Sequence, residues 1–322
     1  MSLSDMVEPP AMNTRPFSQR IDSKAESPAE TVQKSWIRCE TSYQLDPSQK
    51  WKADVLCGAE FRHVSSRSAL LLRQASEEMQ HLFALVQGLG LMVLLADPNA
   101  MILARCADET HLSVCRRLNL REGAIWSEAI AGTNGIGTCV EDRCPIFLGR
   151  GAHWRFCFSL LISYAVPIFD AQGRVAGALN LASMNGKTEQ PIDKLLMETL
   201  AQSGRRIEEQ LFRNSYEGQK ILTLGSVRGC SAPLVSINDQ GEITGATHAA
   251  REWMGWTDQT IAQHPNLLTE LEEGSEISFQ KAEENVIRSA LAVSQGNVTQ
   301  AARGLGISRA TLYRKMKSFG IN

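Results

Sequence analysis

Residues 296–321 read GNVTQAARGLGISRATLYRKMKSFGI, and the punctuation of this stretch decides the fold of the C-terminal end. Gly296-Asn297 halts the preceding run, because both residues accept the left-handed geometry that closes a helix. Val298 to Gly304 or Leu305 then makes a short helix whose Ala301 and Ala302 allow close packing. Gly306-Ile307 fits a steep turn, with the glycine at positive φ and the isoleucine filling the angle between two helices. Ser308 stands as N-cap of a further helix, RATLYRKMKSFG, with Ala310 or Thr311, Leu312, Met316 and Phe319 facing inward.

The outward side of that helix carries Arg309, Tyr313, Arg314 and Lys317, beside the hydroxyls of Ser308 and Thr311. Lys315, and Thr299 on the preceding helix, complete the candidate DNA contacts. A helix fits the major groove, where Arg reads guanine edges while Lys, Ser and helix N-terminal amides hold phosphates. Just upstream, AEENVIRSALAVSQ at 282–295 places Val286, Ile287, Ala290, Leu291 and Val293 near one helical face. Charge follows the same division. Residues 281–322 hold seven basic and two acidic side chains, net +5, whereas the preceding 280 residues hold 26 basic and 33 acidic, net -7. A basic tail on an acidic body is the pattern of a nucleic-acid module attached to something with another job.

The pattern A-A-x-x-L-G-I-S-R-x-T-L-Y-R-K resembles the C-terminal helix-turn-helix of the Fis family, shared with bacterial enhancer-binding regulators. The resemblance implies pairing of two such tails through the helix at 282–295. A dimer in turn implies an inverted-repeat operator on double-stranded DNA, with half-sites about one duplex turn apart. Binding is expected to fall steeply with salt.

Outside the tail, 322 residues with 43% hydrophobic, 21% charged and net charge -2 exclude a wholly disordered chain. No apolar run reaches the ~20 residues of a membrane span. Eight cysteines without regular spacing do not read as a secreted disulfide scaffold, so a cytoplasmic location without membrane contact is expected. LGLMVLLADPNAMILARC reads as strand, turn and strand about Asp97-Pro98-Asn99, and SYAVPIFDAQGRVAGALNLAS as a second hairpin about Asp170-Ala171-Gln172-Gly173. Between them, EGAIWSEAIAGTNGIGTCVEDRCPIFL supplies a Gly- and Thr-rich turn, a helix and a strand. Helices flanking an antiparallel sheet make an α+β class.

SWIRC with the following LDP, WSEAIAGTNGIGTCV and AVPIFDAQGRVAGALNLAS are together similar to the N-terminal region of the acetoin catabolism regulator family, which contains a GAF domain. That likeness implies effector binding in a half-buried pocket between sheet and connecting segments. The expected effector-binding set is Trp126, Thr133, Asn134, Thr138, Cys139, His153 and Trp154. Glycines at 132, 135 and 137 let backbone approach a ligand, threonines and an asparagine offer short polar groups, and Trp126 an apolar wall. The chain departs from the family where Ser163 stands in place of a usual Cys and where the loop keeps only His153, so the effector is not carried over as acetoin.

Cys139, Cys144, His153 and Cys157, spaced C-x4-C-x8-H-x3-C, offer an alternative reading as a metal or redox site. Ordinary packing of small buried thiols competes with it, because no C-x-x-C pair is present. Cys139, Cys144 and Cys157 are also the thiols a GAF-fold methionine sulfoxide reductase would need. The DNA-binding tail argues against that enzyme, and the chain reads as a non-enzyme with no cofactor. Gly186-Lys187-Thr188 lacks the earlier glycine of a phosphate loop, Leu181 standing there. LVSIN, DQG, EITGATHAA and REWMGW read as strand, turn, strand and helix of a short PAS-like α+β module, with no room for an ATPase between residues 216 and 281.

The expected organisation is a disordered lead-in (1–30), an N-terminal helical segment (31–80), a GAF sensor with its antiparallel sheet flanked by helices (81–186), a connecting helix (187–215), the PAS-like module (216–275) and an all-α helix-turn-helix (281–322). Apolar residues at 192, 196, 200, 207 and 211 of the connecting helix suit either a dimeric coiled stalk or ordinary packing. The expected function is a dimeric, ligand-responsive transcription regulator. Without a motor it acts on RNA polymerase or on another regulator.

Overall fold

Both predicted hairpins are present in the computed structural model, which describes residues 28–184, 190–224 and 233–269 and, further on, 287, 291, 294, 298–305 and 307–318. Met92–Ala96 (β1) pairs antiparallel with Ile102–Cys106 (β2), and Ile162–Phe169 (β4) with Val175–Ser183 (β5). Ile146–Leu148 (β3) adds to β4, giving a five-stranded sheet in the order β2-β1-β5-β4-β3. Asp97 and Asp170 build the two turns, each carboxylate accepting backbone N–H groups two and four residues on.

Alternation along the strands sends side chains to two buried faces. On one, Val93, Leu95, Tyr164, Val166, Leu179 and Leu181 pack under Ala69–Val86 (α3) and Gln190–Ser215 (α7). Leu196, Leu200, Ile207 and Leu211 of α7 are buried in that core, so the spacing read as a possible coiled stalk serves packing against the protein's own sheet. Ile192, the other member of that series, stays partly exposed. Arg206 of α7 meets the buried Glu78 of α3 at 2.6 Å, and Glu208 accepts the Phe169 amide at 2.9 Å. These polar contacts fix the register of α7 on α3 and the sheet. Pro28–Ile37 (α1) and Gly58–Ser66 (α2) precede α3.

The opposite face is covered by Leu112–Leu118 (α4), Glu128–Ala131 (α5), Gly135–Asp142 (α6) and the segment after β3. Met92, Leu94 and Ala182 there meet Trp126, Ile136 and Phe158, while Ala165 and Ala178 meet Cys139 and Ile146. The result is the α+β, GAF-type layer arrangement expected from the sequence.

A second sheet follows, β6-β7-β8, formed by Lys220–Thr223 (β6), Leu234–Ile237 (β7) and Ile243–Ala246 (β8). β6 was not anticipated, and neither was Asp258–Ala262 (α9). The helix expected to begin at Arg251 begins instead at His248 and runs to Met254 (α8), because Thr247 provides its cap. Ala171, Phe212 and Leu234 form a small shared core between the sheets, and the Phe169 and His248 rings stack at 3.8 Å.

In the tail, Val298–Gly304 (α10) and Arg309–Ser318 (α11) form as expected. Of the expected lead-in, residues 1–27 lie outside the described residues, and α1 already opens at Pro28. Most of the helix expected at 282–295, the Gly186-Lys187-Thr188 segment, Gly306 and Phe319 also lie outside them. No helix among the described residues is long and apolar enough to cross a membrane.

Candidate functional site

The tail is held by Ala301 and Ala302 of α10, which seat Leu312 and Met316 of α11, with Ile287 and Leu291 packed on the same cluster. The backbone of Ile307 bonds Ala302 at 3.1 Å, closing the turn. Ser308 caps α11, its Oγ accepting the Thr311 amide at 3.1 Å. Leu312 and Met316 therefore face inward, and Arg309, Tyr313 and Arg314 stand exposed on the other side. Ser308 and Thr299 are exposed too, whereas Thr311 and Lys315 are half-buried. Of the eight expected DNA contacts, only the Lys317 side chain lies outside the described residues. Ala310 was one option for the inward face and is exposed.

In the body, Trp126 lies against Trp51 and Phe158, with ring centroids 5.3 and 5.0 Å away. From there the chain makes a tight knot. Gly132, at φ 74°, lets Trp154 lie over the backbone where a Cβ would collide with its ring. Asn134 caps α6 by accepting the Gly137 amide at 2.8 Å, and its Nδ2 donates to the carbonyls of Trp126 and Gly132, both at 2.8 Å. Thr138 Oγ accepts the Asn134 amide at 3.1 Å.

α1 and the π-helical turn Arg38–Ser42 dock on this knot. Ser35 Oγ donates to Glu128 Oε2 at 2.6 Å, so its single proton is spent and the Thr133 hydroxyl donates to it at 2.7 Å. By the same logic the Cys39 thiol donates to Thr133 at 3.5 Å, and burial pushes that thiol's pKa up. Arg38 grips Glu128 through Nε at 2.7 Å and Nη2 at 3.0 Å, and reaches Asp142 at 2.8 Å. Glu128 is buried, so its charge requires this partner.

Thr133, Asn134 and Thr138 thus bring the expected polar groups together, but spend them on one another and on α1. Cys139 is buried among Val32, Ile146 and Ala165. His153 and Trp154 differ. Both are buried, and both His153 ring nitrogens and Trp154 Nε1 are without a hydrogen-bond partner, as is Arg155 Nε. Burial pushes the His153 imidazole down to about 3, leaving it neutral. A cavity of about 380 Å3 lies elsewhere, beside the β1–β2 turn, and none of the seven expected effector residues lines it.

The metal alternative is not formed: among the described residues no group of three or more His, Cys, Asp or Glu stands where it could hold an ion. Cys139 is buried while Cys157 is exposed, and no disulfide joins any of the seven described cysteines. Ser35, Arg38 and Glu128 were not among the residues singled out. The signal available for them was an acidic residue inside a Gly- and Thr-rich turn, which on burial demands a cation.

A short helix packed on a capped second helix that exposes two arginines and a tyrosine is a helix-turn-helix of the DNA-binding class. Residues 278–319 match the model of the Fis family of bacterial regulatory proteins, and the chain is homologous to acetoin catabolism regulators. It is 27% identical over 224 residues to the acetoin catabolism regulatory protein of Cupriavidus necator, covering 68% of this chain and 34% of that one. It is 25% identical over 228 residues to the acetoin dehydrogenase operon transcriptional activator of Bacillus subtilis, covering 70% and 37%. The chain therefore spans about a third of the length of these relatives. In three dimensions it is similar to the E. coli DhaR(N) chain solved with DhaL, at TM-score 0.52 and 17% identity, covering 70% of this chain and 77% of that one.

Proposed function

We propose that the chain is a ligand-responsive, DNA-binding transcription regulator that is not an enzyme and works in the cytoplasm as a homodimer on an inverted-repeat operator. In this reading residues 81–186 sense a small molecule, residues 187–215 connect, 216–275 form a PAS-like module and 281–322 read DNA. With no room for an ATPase between residues 216 and 281, the protein in this reading recruits or blocks RNA polymerase or tunes another regulator. The observation that carries the reading is the Ser308-capped helix with Arg309, Tyr313 and Arg314 exposed and its apolar side buried on α10.

The proposed effector neighbourhood is the expected set from Trp126 to Trp154, with His153 and Trp154 as the contacting groups. Their unpartnered nitrogens support this, since a buried donor or acceptor without a partner costs about 1–3 kcal/mol and a ligand that pairs it recovers that cost. Effector control requires tighter binding to one of two DNA-competence states.

The test is operator selection from genomic fragments with the intact protein, followed by binding of Arg309→Ala and Arg314→Ala at moderate salt. Loss of about 1–3 kcal/mol per arginine that reads a base is expected. Equal affinity of wild type for selected and random duplex rejects the reading.

A further inference from the structure

The cavity beside the β1–β2 turn has a composition unlike that of the buried knot. Ile125 and Val140 are among its apolar lining, and its polar groups are those of Tyr43, Asn99, Ser127, Glu128 and Glu141. Among the described residues no lysine, arginine or histidine lines it. Arg38, the cation nearest Glu128, is shared between Glu128 and Asp142, so one positive charge answers two carboxylates before Glu141 is counted. Glu141 is exposed, and the charged residues lining the cavity, Glu128 and Glu141, are both acidic and lie with the Tyr43 ring.

We propose that this cavity is a binding site for a small organic ammonium ion. The Glu141 carboxylate pairs with the cationic head, the Tyr43 ring offers its negative face, and Ile125 and Val140 receive the carbon skeleton. Burial together with the charges of Glu141 and Glu128 raises the Tyr43 pKa, so its hydroxyl stays protonated and can donate to an oxygen carried by the ligand. An anion is excluded by the same carboxylates, and a neutral polyol can hydrogen-bond to them but gains no charge pairing. The site shares no residue with the effector groups proposed above and does not depend on DNA binding.

Calorimetric titration of the full chain with choline and with ethanolamine tests the assignment, with glycerol and acetate as uncharged and anionic controls. One or both ammonium probes should bind saturably at one site per chain, while glycerol and acetate do not. Glu141→Gln should weaken that binding about two- to fivefold, the cost of one partly screened charge pair. Val140→Trp, at a half-buried lining position, should abolish binding by filling the cavity, with circular dichroism confirming an intact fold. Absence of saturable binding for both ammonium probes overturns the proposal. So does glycerol binding as tightly as they do, or unchanged ammonium affinity in either variant.

Discussion

Arg38 Nε donates to Glu128 Oε1 at 2.7 Å across 90 residues of sequence, tying the N-terminal helical segment to the start of α5. The carboxylate is almost fully enclosed, whereas the guanidinium keeps a quarter of its surface in water. The pair is therefore asymmetric: removing the arginine strands a buried charge, and removing the glutamate leaves a cation that still has Asp142 and solvent. Arg38→Ala is expected to cost about 3–5 kcal/mol, and Glu128→Ala less than Arg38→Ala. The double variant should fall short of the sum, because the second change removes the charge exposed by the first. Urea unfolding of the three variants measures this.

The His153 imidazole gives stability a pH dependence whose sign is fixed by burial. Its pKa is about 3 in the folded protein against 6.5 in an unfolded chain, so between those values the unfolded state binds the extra proton. Its contribution is complete above pH 6.5 and drains away as pH falls toward 3. Between pH 6.5 and 5 the wild type should lose up to about 1.4 kcal/mol per pH unit from this residue. His153→Phe should flatten that stretch, while Glu78, held below its usual range by Arg206, titrates only at lower pH. Denaturant midpoints at pH 7.5, 6.5 and 5.5 provide the comparison.

Two glycines in the knot are close-approach positions of different kinds. At Gly132 the backbone has φ 74° and ψ -168°, and a Cβ would sit 2.5 Å from Trp154 Cδ1. At Gly137 the backbone is helical, but a Cβ would sit 2.3 Å from the Trp126 carbonyl oxygen. Neither neighbour can yield cheaply, so Gly132→Ala and Gly137→Ala should each cost about 2–4 kcal/mol through strain and overpacking. Gly88→Ala, where nothing lies within 4 Å, should stay within about 1 kcal/mol of wild type. Thermal unfolding of the three alanine variants tests the contrast.

What could be read from the sequence was local. The turns at Asp97-Pro98-Asn99 and Asp170–Gly173 announce themselves through Asp, Pro and Gly at fixed offsets, and the hairpins formed there. α10 and α11 were legible because Ala-Ala, a turn and a capping serine follow one another within eleven residues. The knot was not, because Ser35, Arg38 and Glu128 meet only after the chain has folded, and no periodicity links positions 90 residues apart. Thr133, Asn134 and Thr138 have the chemistry of ligand contacts and equally that of caps, and only geometry shows where their bonds go. β6 escaped notice because Lys220–Thr223 is short and mostly exposed, so burial left no alternation in its sequence.

Ser308 holds two roles that one pair of substitutions can separate. Its Oγ accepts the Thr311 amide at 3.1 Å, and its side chain also lies beside the exposed Arg309 at the helix start. Ser308→Ala should destabilise the tail by about 1 kcal/mol, the usual worth of a cap. Ser308→Asp keeps an acceptor and places a negative charge at the positive end of the helix dipole, so its stability should stay within about 0.5 kcal/mol of wild type. The same charge would face DNA phosphates if α11 enters the groove. Ser308→Asp is then expected to weaken operator binding more than Ser308→Ala does, and most strongly at low salt, where phosphate contacts dominate. Duplex titrations at two salt concentrations, run beside thermal melts, distinguish the roles. If the aspartate variant melts like wild type and binds like it too, the helix start does not face the phosphates.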